Sequence, residues 1–155
     1  MVSKRGDNME VIDFNKYENY IRVGHVGVDL GNHNYSCSDL QDFPTPSTLG
    51  RVLHDVDKDP FTDLQGYTHR NRVRHDVEDI TVGYNILSDN DIAYILNRIS
   101  PEWIYVELID KKTQQKKVHK MYASDKEWNT FRVFKDTNNN WCSIESEFSF
   151  SLVEE

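Results

Sequence analysis

Only one stretch of this 155-residue sequence repeats with the period of an amphipathic helix, and strand-like segments lie on both sides of it. In residues 88–100, Ile92, Ile95, Leu96 and Ile99 fall at i, i+3, i+4 and i+7, which is one apolar helical face. Ser88 stands where an N-cap is needed, and Asp91 three residues on gives an acidic form of the capping box. Asp89 and Asp91 put negative charge in the first turn and Arg98 puts positive charge in the last, both with the sign the helix dipole favours. Ser100-Pro101 stops the helix, because proline lacks an N–H and restrains the residue before it. A single helix among strands must bury its face against a sheet.

The clearest strand signal is at the C-terminus. Cys142, Ile144, Phe148, Phe150 and Leu152 share one parity, while Ser143, Glu145, Glu147, Ser149 and Ser151 share the other. A run of that length spans the whole sheet or carries a bulge partway. Residues 102–109, rich in aromatic and β-branched side chains, read as a central strand, followed by a turn at 110–113. Residues 114–122 pair back on it with Val118 and Tyr122 inward, and residues 131–134 form another short strand.

Upstream, residues 20–28 read as a strand in which Gly24 and Gly27 permit a bulge or a close backbone approach. Ile80, Val82 and Tyr84 stand on the opposite parity to Val73 and Val77, so a one-residue bulge near Glu78-Asp79 is expected. Residues 29–66 hold Pro44, Pro46 and Pro60 and little sustained period, and read as a long loop-rich connection. Such a connection is unusual in a compact domain, so it either hides short strands or is a functional loop. No repeat or linker divides the chain. The expectation is one domain over residues 1–155, mainly β, an antiparallel β-sandwich or barrel with one flanking α-helix, and with residues 1–10 as a flexible tail.

Charge narrows the partners. Twenty-six acidic and 18 basic side chains give −8, which disfavours stable, sequence-specific binding to nucleic acid, since phosphate neutralisation needs a basic surface. It suits a wall that DNA passes without sticking. No signal peptide or membrane span is read. Cys37 and Cys142 form no CxxC pair and read as independent reduced thiols. Asn34-Tyr35-Ser36 matches the glycosylation pattern by chance.

No catalytic, cofactor or metal motif stands out. None of the six histidines (His25, His33, His54, His69, His75, His119) lies in a zinc-helix pattern, and no nucleophile elbow or phosphate loop occurs. The run from His54 to Asp59 is the best metal-like cluster, but it lacks the glycine and terminal glutamate of a calcium loop, so a solvated acidic segment is expected. An enzyme would need a deep pocket holding a histidine and two carboxylates. Arg70, Arg72 and Arg74 alternate and are the candidate interface residues. They fit a phosphate stripe, carboxylates of a neighbouring subunit, or carboxylates of the same chain. The lysines at 111, 112, 116, 117 and 120 read as a solvated hairpin tip that discourages edge pairing.

The basic run 66–74, the Ile-rich helix 88–100 ended by Ser100-Pro101, the strand 103–109 and the segment 118–123 with Tyr122-Ala123 together resemble small tail proteins of long-tailed bacteriophages. The resemblance covers residues 66–124. It implies a non-enzymatic virion structural protein of the tail tube, tail terminus or baseplate, made in the host cytoplasm. It also implies a homo-oligomeric ring, commonly a hexamer, that contacts other tail proteins and surrounds a channel for DNA. The alternative is a small binding module using residues 68–76 for nucleic acid or a protein partner. Salt-sensitive binding to single-stranded nucleic acid would favour it.

Overall fold

In a computed structural model, residues 21–59 and 61–155 are described. The tail expected at residues 1–10 lies outside them. The strands are β1 (Arg22–Gly24), β2 (Gly27–Gly31), β3 (Asn34–Cys37), β4 (Gln41–Asp42), β5 (Thr48–Asp57), β6 (Phe61–Thr62), β7 (Thr68–His69) and β8 (Arg72–Ser88). Helix α1 (Asp89–Ile99) follows, then β9 (Ile104–Ile109), β10 (Lys116–Lys135) and β11 (Trp141–Glu154). Nine strands make one antiparallel sheet, whose main path is β4-β1-β9-β10-β11-β8-β5, while β6 and β7 form a separate ribbon. The fold is thus mainly β with one helix, as expected. Its terminal strands β4 and β5 are not paired with each other, so the barrel alternative does not hold.

The helix forms as its sequence dictates. Ser88 is the N-cap, extended at φ −80° and ψ 162°, and its hydroxyl accepts from the Asp91 N–H at 3.4 Å. Ile92, Ile95 and Ile99 are buried and Leu96 packs partly buried against the same core. Arg98 bonds the carbonyls of Val23 and, at 3.1 Å, Asp39, which ties the helix end to β1 and to the loop after β3. The core these isoleucines join is Ile21, Val23, Phe43, Ile80, Val82, Tyr84, Leu87, Ile104, Val106, Leu108, Met121, Phe148, Phe150 and Leu152.

Side-chain parity departs from the sequence reading at three places. In β11, Glu147 takes φ 53° and the pairing with β10 shifts there. Phe148, Phe150 and Leu152 point inward together, but ahead of the bulge it is Glu145, not Ile144, that is buried. In β8 the parity change comes at Asp76 (φ 59°), two residues before its expected place. In β10 the inward residues are His119 and Met121, not Val118 and Tyr122, because Val106 of β9 stands opposite His119 and fixes the register.

The stretch 29–66 does hide strands: it contains the end of β2, then β3, β4, β5 and β6. The first strand breaks at His25 and Val26, whose N–H groups both donate to the Asp39 carboxylate, at 2.9 and 2.8 Å. Those hydrogen bonds, the Val26 one foremost, lower the Asp39 pKa to about 2. The glycines expected to allow close approach do so. A Cβ on Gly27 would lie 2.2 Å from the Tyr105 ring, and one on Gly24 would lie 2.3 Å from the Cys37 sulfur. Among the described residues no helix is long and apolar enough to cross a membrane.

Candidate functional site

At one end of the sheet the inward face of neighbouring strands turns from apolar to charged. Along β10 it runs from Met121 in the core to buried His119 and then to half-buried Lys117. Along β11, Leu152 is followed by buried Glu154, and along β8, Ile80 is preceded by buried Glu78. Alternation keeps each pair on one face. Strand β5, next in order, brings Arg51 beside Glu78. The result is a charged row across four adjacent strands.

Its hydrogen bonds are specific. His119 Nδ1 lies 3.0 Å from Glu154 Oε1, and since a carboxylate only accepts, that nitrogen donates. Glu154 also accepts the Glu78 N–H at 2.6 Å and pairs with Arg74 Nη2 at 3.1 Å. Arg51 pairs with the Glu78 carboxylate. His119 Nε2 stands 3.5 Å from the other Glu78 oxygen and makes no hydrogen bond. Burial alone would raise the Glu154 carboxyl, but the His119 and Glu78 hydrogen bonds and the Arg74 charge outweigh it and hold the pKa below its ordinary value.

A cavity of about 680 Å³ opens over this row, within the usual size of a small-molecule site. Its lining includes Arg51, Arg74, Glu78, His119 and Glu154, with Lys111 and Lys117 from the β9–β10 hairpin and His33 from the β2–β3 turn. His33 and Asn32 hold left-handed backbone, φ 58° and 54°, which turns β2 back onto β3.

The three arginines expected as one row separate. Arg70 lies between β7 and β8 and pairs with Asp57 at 2.9 Å and Asp55 at 3.4 Å. Arg72 reaches Asp55 at 3.5 Å, and Arg74 turns to the Glu154 end of the chain. Their side chains are 51%, 50% and 20% exposed, so two of them remain open to a partner.

The segment from His54 to Asp59 is no coordination loop, since residues 54–57 lie in β5 with Asp55 and Asp57 held by those arginines. Ligand atoms of Asp55, His75 and Asp76 do fall within 4.8 Å of one another. Asp55 already faces Arg70 and Arg72, and Asp76 faces Lys112, so side-chain cations compensate the carboxylates a metal would need. Cys37 and Cys142 are both free thiols.

The sequence reading missed His119, Glu78, Glu154 and Arg51. The available signal was the parity of Met121: with that residue inward, His119 and Lys117 follow, and the lysine run divides between cavity and solvent.

No curated protein matches the chain. Among solved structures, a chain of the cryo-EM structure of the anti-feeding prophage baseplate, 6-fold symmetrised, aligns over 95% of this chain and 94% of its own, at 11% identity and a TM-score of 0.30. A family profile, by contrast, covers most of the sequence: residues 41–154 match DUF6711, and the chain belongs to that family of unknown function.

Proposed function

We propose that the protein is a non-enzymatic structural subunit of a phage tail, placed in the tube, terminus or baseplate, which closes into a ring of about six copies. The observation that carries this reading is a pair of open strand edges. Among the described residues, strand β5 ends the sheet with Leu49, Val52, Leu53 and Val56 exposed. Beyond Met121, β10 pairs only with β11 among the described residues, and this outer half exposes Trp128, Phe131, Val133 and Phe134. Unpaired edges bearing apolar side chains invite strand addition from another chain. Two different edges joined head to tail give a heterologous contact, which closes into a ring when the rotation allows. The tail-protein resemblance of residues 66–124 points the same way. In this reading the acidic wall lets DNA pass, the other partners are tail proteins, and the location is the virion.

Light scattering over a concentration series tests it. The expected species is a closed ring of about six copies or a stack of rings. Phe131→Lys should dissociate it, because an edge lysine opposes strand addition, while stability stays within about 0.5 kcal/mol. An assembled mass unchanged by this substitution would overturn the reading. A wild-type protein that stays monomeric at high concentration shifts it to a subunit that assembles only on a template, or to the binding module.

Arg70, Arg72 and Arg74 are proposed to register one subunit against an acidic neighbour. Because Arg74 also holds Glu154, Arg70→Gln with Arg72→Gln is the cleaner test. The double variant should weaken assembly by several-fold at low salt and less at high salt, as exposed charges are screened. Equal assembly at both salt concentrations counts against a registering role.

The cavity more than meets the requirement of an enzyme for a histidine and two carboxylates, since it gathers His33, His75 and His119 with Asp76, Glu78, Asp110 and Glu154. Its pairing argues otherwise. Glu78 and Glu154 are tied to arginines, Asp76 to Lys112 and His119 Nδ1 to Glu154, and the described lining has no serine, threonine or cysteine to act as a nucleophile. The cavity reads as a binding site.

A further inference from the structure

We propose that the cavity at the charged end of the sheet binds a phosphoryl group, held by Lys111 and Lys117 at its rim and by His119 Nε2 at its floor. Three observations converge. The chain is acidic overall, yet this concave surface gathers Arg51, Arg74, Lys111, Lys112 and Lys117, five cations against the four carboxylates of Asp76, Glu78, Asp110 and Glu154. Arg51, Arg74 and Lys112 are neutralised by Glu78, Glu154 and Asp76, whereas the ammonium groups of Lys111 and Lys117 have no salt bridge among the described residues. At the floor, the imidazole is 3% exposed and its Nε2, though 3.5 Å from Glu78 Oε2, lacks a hydrogen-bond partner, an unusual state for a buried polar atom.

The donor types select the ligand. A carboxylate is met best by the planar fork of an arginine, and both arginine forks here are already engaged with Glu78 and Glu154. Two flexible lysines, with an imidazole beneath them whose Nε2 donates when both ring nitrogens carry protons, supply point donors from different directions, which suits the tetrahedral oxygens of phosphate. Strand geometry makes the arrangement: Lys117 and His119 are two residues apart on the inward face of β10, and Lys111 stands across the hairpin turn closed by the Gln114 N–H on the Asp110 carbonyl at 2.8 Å. A free phosphate and the phosphate of a nucleic-acid backbone share this chemistry.

The test is a titration of the full-length protein at constant ionic strength, followed by the imidazole ¹⁵N resonances. One arm uses inorganic phosphate and the other a ten-nucleotide oligothymidylate. A saturable shift of His119 Nε2 with inorganic phosphate supports a free-anion site, and a shift with the oligonucleotide alone supports a backbone-phosphate site. Lys117→Gln should weaken the response by about tenfold, the worth of one charge-assisted hydrogen bond. Lys111→Gln, at an exposed position, should weaken it too, while Lys135→Gln, whose ammonium sits 4.7 Å over the Trp141 ring, should leave it unchanged. The proposal is overturned if neither probe moves His119, if an oligoglutamate alone moves it, or if both rim variants respond like wild type.

Discussion

Truncating Phe148 to alanine should lower the unfolding free energy by about 3–5 kcal/mol in a urea titration. The ring is fully buried at the junction of three aromatic contacts, with centroids 5.8 Å from Phe150, 6.1 Å from Tyr84 and 5.9 Å from Trp128. Tyr84 is in turn anchored by its hydroxyl, which donates to the Pro44 carbonyl at 2.9 Å, and Phe150 packs on Phe43 at 6.4 Å. Neighbours fixed this way cannot collapse into the space left by a lost ring, so the cavity cost adds to the lost transfer energy. For a domain whose whole stability is about 5–15 kcal/mol, that is a large share. Phe131, equally aromatic but on the outer half of β10 and 64% exposed, should cost less than about 0.5 kcal/mol when truncated. If both truncations cost the same, the buried cluster around Phe148 is not what holds the sheet together.

Elements whose cause is local were legible in the sequence. The cap, the apolar face and the Pro101 stop of α1 all lie within fourteen residues, and β9 alternates cleanly because its outward face is only partly covered. Parity failed wherever a partner strand decides it. Glu147 and Asp76 each insert a residue whose place only the pairing fixes, since the parity switch in β8 announced a bulge two residues late and the length of β11 allowed one without locating it, and Val118 and Tyr122 are apolar side chains on the wrong face of β10. The short strands within 29–66 were hidden because most of their residues are exposed and so carry no hydrophobic period. The site suffered in the same way. Arg70, Arg72 and Arg74 announce themselves as a basic row, but their acidic partners lie from 13 residues away (Asp57 for Arg70) to 80 (Glu154 for Arg74). His119, Glu78 and Glu154 meet only because β10, β11 and β8 are neighbours in the sheet.

Replacing Glu154 by alanine should cost about 3–5 kcal/mol at neutral pH, the loss expected when one partner of a buried ion pair is removed. The carboxylate serves His119 Nδ1, Arg74 and the Glu78 N–H at once, and its side chain is 3% exposed. Its removal leaves a buried N–H, an imidazole and a guanidinium to find other partners. A leucine at the same place should cost a similar amount, since filling the volume does not pair the charges. The pH dependence separates this account from simple packing. The folded Glu154 carboxyl is held below its ordinary value of 4.5, so its ionisation stabilises the fold above that pH, and the contribution is lost as pH falls through the folded value. Asp39, lowered from 3.8 to about 2, adds a term of the same sign over the same acid range. The difference between wild type and Glu154→Ala in urea midpoints should therefore narrow steadily as the solution is acidified below about pH 4.5. A gap that stays constant down to pH 2 would mean that Glu154 acts by filling space, and the charged row across β10, β11 and β8 would then lose its electrostatic meaning.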